Sequence, residues 1–317
     1  MRVLAGDLGG TKALLGIAEF IDAVPRFILT RRLASADFSG VDTLLQQFCA
    51  DAHAELAGVS GVCLAVAGPV SDDGRQARFT NLPWQADAAA LEQQLGMPLL
   101  LANDFAAVAA GIATLPAEGR LTLQAGEPLA DGVRLVIGAG TGLGMATLVS
   151  EQCGALKILP GEGGHVGFAP ADEVQARVWA GLFAEYGRVT AERVISGPGI
   201  AAIHRVLTGA TADPAEITEL ALGGNMTSRQ TVEVFLAAYG AFAGDMALAL
   251  MARGGVFLAG GIAAKVLPLL NEGGFLAAFN AKAEHADLAR RMPVHVVTDP
   301  DIGLQGAAAL VWRLHEH

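Results

Sequence analysis

The residues with chemistry in them are two short glycine–threonine runs, a carboxylate ahead of the first, and a Glu–His pair held among glycines. The runs are Asp7-Leu8-Gly9-Gly10-Thr11-Lys12 and Gly138-Ala139-Gly140-Thr141-Gly142-Leu143-Gly144. With so little side-chain bulk, the backbone of such a loop can turn sharply and approach an anion closely. Successive N–H groups can converge on phosphate oxygens, and Thr11 and Thr141, at equivalent places, each add a hydroxyl donor. Asp7, at a strand end, could hold Mg2+ directly or through water. Two other phosphate-binding patterns fail on spacing. A Walker A loop needs Gly-Lys before Ser or Thr, and the chain has no Gly-Lys dipeptide. The dinucleotide fingerprint G-x-G-x-x-G has Leu143 where its last glycine should stand. Either loop alone is as well explained by a tight hairpin; two such loops, each after a strand and each with a threonine, favour phosphate. A third glycine pair, Gly260-Gly261, follows a strand and could let a purine ring lie against the backbone. Taken alone, it reads better as a strand-to-helix turn.

A second group of residues suits a polyhydroxyl ligand. Asn103-Asp104 stands where a strand gives way to a helix. In kinases an Asp accepts the proton of the attacked hydroxyl, but on spacing alone Asp104 is a helix N-cap. Pro160-Gly161-Glu162-Gly163-Gly164-His165 holds a carboxylate and an imidazole three residues apart among three glycines. The pair offers an acceptor and a second polar group to a sugar. Zinc fits less well, because neither an HExxH pattern nor a neighbouring Cys accompanies it. Glu192 is either an ordinary helical charge or a partly buried group beside the helix start Ser196-Gly197-Pro198-Gly199.

The elements that must position these groups read as α/β. Residues 2–6, 13–20 and 27–33 form an antiparallel start. Val41, Leu44, Leu45, Phe48, Cys49 and Ala52 share one helical face, with Ser39 and Asp42 resembling a capping box. A buried strand spans 62–67, Asp87 caps a helix that stops at Gly96, and a strand at 98–102 leads into a helix over 105–113. Strands follow at 133–137, 145–149, 155–159, 256–259 and 294–297, with helices between and a final helix over 304–314. Strand–loop–strand thus occurs once near the start of each half, a faint internal duplication.

Composition bounds the function. The 317 residues are 52% hydrophobic and 17% charged, enough for two packed lobes. The net charge is −11 with no basic run, which argues against nucleic-acid and anionic-membrane partners. ATP is not excluded, since N–H groups and a cation can hold phosphates locally. Cys49, Cys63 and Cys153 are isolated, so no disulfide framework is expected, and Cys63 reads as core. Asp245, Arg253 and several glycines interrupt the apolar stretch 232–270, which suits a buried helix and strand better than a membrane span. With no secretory signal ahead of Asp7, a cytoplasmic protein is expected.

Taken in order, residues 6–12, 101–105, 138–144, 159–166, 191–199 and 259–262 resemble the motifs of bacterial glucokinases from end to end. GEGGH with AERVxSGPG is specific, whereas DxGGT is shared by many kinases of the actin/hexokinase-like superfamily. The resemblance implies a two-lobed hexokinase/actin-like (ribonuclease H-like) fold with a cleft, a small lobe of residues 1–114 and 303–317, and a large lobe of 115–302. It implies Asp104 as base for the 6-hydroxyl of glucose, and hydrogen bonds to the sugar from Asn103, Glu162, His165 and Glu192. It gives ATP phosphates and Mg2+ to Asp7, Gly9, Gly10, Thr11, Gly138, Gly140, Thr141 and Gly142, and the adenosine to Gly260 and Gly261. A homodimer is implied as well. Family members often carry Asn after DxGGT where this chain has Lys12, a departure that leaves the phosphate positions intact. The neighbouring ROK group differs in its Cys-rich zinc motif, absent here, and its repressors carry a DNA-binding domain for which there is no room ahead of Asp7. Rival expectations are a kinase for fructose, mannose or an amino sugar, a non-catalytic sugar/ATP sensor, and an actin- or chaperone-like ATPase.

Overall fold

Both glycine–threonine runs turn one strand back on the next. A computed structural model describes residues 1–21, 24–151 and 156–315; Cys153 and Ala155 lie outside the described residues. The chain divides into two units, one of Met1–Pro116 with Asp301–His317 and one of Ala117–Pro300.

In the first unit β1 (Arg2–Leu8), β2 (Lys12–Ile21) and β3 (Val24–Ala34) form an antiparallel meander. Next comes α1 (Val41–Asp51), whose buried face is Val41, Leu44, Leu45 and Phe48. Its N-cap is Gly40, whose N–H donates to Thr43 Oγ1 at 3.3 Å, so the expected Ser39–Asp42 box does not form. β4 (Val59–Val66) lies parallel to β1. A small hairpin of β5 (Gln76–Arg78) and β6 (Gln85–Asp87) leads to α2 (Ala88–Leu95), capped by Asp87 and ended by Gly96 at φ +68°. β7 (Leu99–Asn103), parallel to β4, completes the sheet and runs into α3 (Asp104–Thr114). The strand order is β3-β2-β1-β4-β7.

Alternation along β1 sends Leu4 and Leu8 to the α1 side. Val3 and Ala5 go to the other side, against α3 and the closing helix Ile302–His315. That second layer is built of Ala107, Ala307, Ala308 and glycines, so the two helices approach backbone to backbone. A Cβ on Gly306 would lie 1.6 Å from the Ala107 carbonyl oxygen, and one on Gly111 would lie 2.5 Å from that of Ile302.

The second unit repeats the plan. β8 (Arg120–Gln124), not anticipated from sequence, is an edge strand. β9 (Arg134–Ala139), β10 (Leu143–Ser150) and β11 (Leu156–Gly161) form the meander. Four helices follow: α4 (Glu173–Tyr186), α5 (Gly197–Thr208), α6 (Pro214–Leu222) and α7 (Met226–Leu250). Then come β12 (Gly255–Ala259), α8 (Gly261–Lys265), α9 (Leu267–Leu270), α10 (Gly274–Asn280), α11 (Ala286–Arg290) and β13 (Val294–Val297). The order β11-β10-β9-β12-β13-β8 matches the first sheet except for its antiparallel edge. The duplication is therefore one of topology, three antiparallel strands and then two parallel ones.

α7 is long and apolar enough to cross a membrane by composition, but 61% of its most apolar window is buried in the unit. Phe235 and Tyr239 are fully enclosed, and the Tyr239 hydroxyl donates to the Ile137 carbonyl at 3.1 Å.

Because the backbone of α3 occupies the space a Gly306 side chain would need, Gly306→Ala must push the helices apart. We expect a loss at the upper end of the range for overpacking, about 3 kcal/mol or more, read from the urea midpoint. An unchanged midpoint would contradict the backbone-to-backbone contact.

Candidate active site

In the first unit the loop after β1 is fastened from one side. Buried Ser35 donates its hydroxyl to the Gly9 carbonyl at 2.9 Å and its N–H to the Thr11 carbonyl at 3.1 Å. Gly9 N–H closes the turn on the Lys12 carbonyl at 2.9 Å. Thr11 and Lys12 stay exposed. A Cβ on Gly10 would lie 2.9 Å from Asn81 Cβ.

Asn103, not Asp104, is the N-cap of α3. Its Oδ1 accepts from Phe105 N–H at 2.9 Å and Ala106 N–H at 3.2 Å, while Nδ2 donates to the Gly68 carbonyl at 3.2 Å. The N-cap role that spacing gave to Asp104 thus falls one residue earlier. The strand carries extended geometry through Asn103, and an amide can cap the helix and tie back to Gly68 at once, which a carboxylate cannot. Asp104 is the first helical residue, half-buried, with Oδ1 accepting from Phe105 N–H at 2.8 Å.

Asp7 is half-buried at the end of β1. Its carboxyl is pushed up to about 6, first by desolvation and then by the charges of Asp104 and Asp301. Gly303, in the first turn of the closing helix, leaves it room: a Cβ there would lie 2.6 Å from Asp7 Oδ2. A cluster with its charge so opposed is relieved by a cation. Among the described residues no three His, Cys, Asp or Glu side chains converge to hold a metal ion by themselves. Mg2+ keeps several of its waters and is usually shared between one or two carboxylates and phosphates, a donor set that Asp7 could join.

In the second unit three predicted segments meet. The 138–144 run is a hairpin whose last pair is Ala139 with Leu143, and Gly140 N–H donates to the Gly142 carbonyl at 2.8 Å. Thr141 is exposed at its tip, and no atom lies within 4 Å of a Cβ position on Gly140. Gly164 lies directly against this hairpin, its Cβ position 2.2 Å from the Leu143 carbonyl oxygen. The flanking Glu162 and His165 project outward, 91% and 59% exposed, with Oε2 and Nε2 3.8 Å apart. Half-buried Glu192, in a short 3-10 turn over Ala191–Arg193, reaches the hairpin instead, and its Oε2 accepts from Leu143 N–H at 2.9 Å. Gly260 has φ +86° and a Cβ position 2.6 Å from the Ala139 carbonyl oxygen, so it seats the start of α8 against the same hairpin. Gly261 has open space on its Cβ side.

Ser35, Asp301 and Gly303 escaped the sequence reading. Asp301 carried one legible signal, an acidic residue just ahead of a helical pattern; Ser35 and Gly303 matter only through distant partners.

Two sheets of one topology, each with a glycine–threonine hairpin and one with an acidic strand end, define a kinase of the hexokinase/actin-like fold. The glucokinase family model matches residues 4–314. The chain is 38% identical to the glucokinase of Trichormus variabilis, over 98% of this chain and 99% of that one. A crystal structure of a glucokinase from an Antarctic psychrotroph matches with a TM-score of 0.88 at 32% identity, over 98% and 99% of the two chains. A ROK-family glucokinase from Streptomyces griseus, solved with glucose and AMPPNP, shares the fold at a TM-score of 0.69 and 19% identity, over 98% and 99%. The chain belongs to the glucokinase family and is an ATP-dependent hexose kinase.

The raised Asp7 carboxyl has a consequence for stability. The fold binds the Asp7 proton more tightly than the unfolded chain does, so stability drops as pH rises from about 4 to about 6 and stays lowered above that. Asp7→Asn removes the charge. Without metal, the variant should gain about 1–3 kcal/mol at pH 8 and little at pH 4, measured by denaturant titration at both. An equal effect at the two pH values would refute electrostatic strain at Asp7.

Proposed function

We propose that the chain transfers the γ-phosphoryl group of ATP to the 6-hydroxyl of glucose, giving glucose 6-phosphate and ADP. The observation that carries this is the seating of Gly164 on the Leu143 carbonyl. It fixes the exposed Glu162–His165 pair, suited to a sugar, onto a hairpin suited to phosphate. Phosphoryl transfer depends on such positioning more than on covalent chemistry.

Asp104 is the general base: it accepts the proton of the 6-hydroxyl as that oxygen attacks phosphorus. The Asn103 cap holds the first turn of α3 and so the carboxylate's bearing. Asn103, Glu162, His165 and Glu192 hydrogen-bond the sugar. Backbone N–H groups of Gly10, Thr11, Thr141 and Gly142, with the two threonine hydroxyls, take the phosphates, and Gly9, Gly138 and Gly140 contribute by carrying no side chain that would hold the phosphates off. The space beside Gly261 and the tight seat of Gly260 suit adenosine. Mg2+ bound with ATP would neutralise charge on the phosphate oxygens, and Asp7 would hold it directly or through water. Glucose and AMPPNP in the Streptomyces griseus neighbour support both ligands. The family resemblance supports a cytoplasmic homodimer whose product enters glycolysis. The net charge of −11 speaks against a nucleic-acid partner, and the burial of α7 against a membrane span.

The test is ADP release with Mg-ATP across a hexose panel, with a no-sugar control. Glucose should be the preferred substrate. Another hexose in first place would reassign the substrate, and sugar-independent ADP release would point to an ATPase. Asp104→Asn should lower kcat by about 100-fold or more while glucose still binds in calorimetry; near-normal turnover would remove it as base. Glu162→Gln should raise the glucose KM with kcat and melting temperature unchanged, because the carboxylate is exposed and its one close neighbour is His165 at 3.8 Å. An unchanged KM would argue against the sugar contact.

A further inference from the structure

We propose that Glu192 is a positioning residue that couples sugar binding to the shape of the phosphate hairpin, so that glucose and nucleotide strengthen each other's binding. The inference rests on the sugar contact proposed above for Glu192; the hairpin contact is independent of it. Glu192 Oε2 accepts from Leu143 N–H at 2.9 Å. The hairpin is built to receive it, since a Cβ on Gly142 would lie 2.6 Å from that same oxygen. The turn that carries Glu192 is fastened on both sides by backbone. Ala191 N–H donates to the Val166 carbonyl at 2.9 Å, just after the Glu162–His165 pair, and Gly197 N–H donates to the Gly140 carbonyl at 2.8 Å. Ser196 Oγ donates to the Glu192 carbonyl at 2.7 Å.

The main chain around Glu192 is thereby set, and its half-buried side chain is joined to the hairpin through Oε2, so that a ligand holding the carboxylate would strengthen that hold. A carboxylate accepts about four hydrogen bonds, so Oε2 can keep Leu143 N–H while a sugar hydroxyl donates to the group. A sugar that fixes the carboxylate also fixes Leu143 and the turn 140–142, whose Thr141 and Gly142 N–H groups are proposed above to take the nucleotide's phosphates. The ordering is then done once for two ligands, which makes their binding cooperative, and linkage makes the effect reciprocal.

Calorimetry on the full chain tests this. In the wild type, saturating glucose should tighten Mg-AMPPNP binding by about fivefold or more; a factor within about twofold of one would overturn the proposal. Glu192→Ala, at a glucose concentration that still saturates it, should abolish the factor, and its survival would also overturn the proposal. Gly142→Ala leaves the carboxylate in the chain but takes its place at the hairpin. It should weaken glucose binding to nucleotide-free protein by about fivefold or more, on the same scale of coupling, and add less than about twofold in a Glu192→Ala background. An unchanged glucose affinity, or an equal loss in both backgrounds, would overturn the coupling. If Gly142→Ala does not fold, the wild-type and Glu192→Ala factors decide. If Glu192→Ala alone leaves glucose affinity unchanged, the sugar contact falls and the coupling with it, while glucose-dependent turnover by the wild type would still uphold the kinase.

Discussion

The first unit depends on two helix backbones lying against each other with no side chain between them. α3 and the closing helix meet at Ala107, Gly111 and Gly306, where a single added methyl would strike a carbonyl oxygen. α3 carries Asp104 at its first position, and the closing helix brings Gly303 to the carboxylate of Asp7 and begins beside Asp301. The close approach is what lets three carboxylates act on one another. The fold thus accepts a penalty at Asp7, whose carboxyl is pushed up to about 6 by desolvation first and by the charges of Asp104 and Asp301 after it. Stability is given up at the place proposed for a cation and phosphate, a common pattern at functional sites.

The same rule, a missing Cβ where another group must enter, runs through the second unit. Gly142 makes way for Glu192, Gly164 for the Leu143 carbonyl and Gly260 for that of Ala139. Of the glycines assigned to ligands, only Gly260 has a left-handed backbone, at φ +86°. The phosphate loops are therefore glycine-rich for closeness of approach rather than for turn geometry. Gly140 and Gly261 are the complementary case, with open space where a ligand can lie.

This explains which parts of the molecule were legible in the sequence. Period and caps gave most of the strands, though not β5, β6 or β8, together with α1, α2 and the start of α5, because those signals are local. Asp87 and Ser196 cap where they were read. The cap of α3 was misread by one residue, since Asn and Asp both cap well and only the tie from Asn103 to Gly68 decides between them. β8 was missed because a short strand at a sheet edge shows little alternation. Ser35, Gly303 and the bond from Leu143 to Glu192 were beyond reach, because each takes its meaning from a partner 26 or more residues away, or from the shape left by a missing atom. The proposed roles of the sugar residues came from family resemblance; spacing alone left Asp104 a cap and Glu192 open between an ordinary helical charge and a partly buried group.

The two hairpins also differ in a way that bears on the phosphate role proposed for them. One residue before its last pair, β1 has Asp7, paired with Leu14, and β9 has Gly138, paired with Gly144. One copy of a shared topology presents a carboxylate at that place and the other presents bare backbone. A carboxylate in both hairpins would add a second negative charge where phosphate binding is proposed. A chain of net charge −11 can bind ATP only where its charge is locally withheld, and backbone N–H dipoles supply the attraction. The glycine at position 138 is thus as much a part of the electrostatics as the aspartate at position 7. Under the proposed function the first loop would serve the cation and the second would offer uncharged backbone to phosphate.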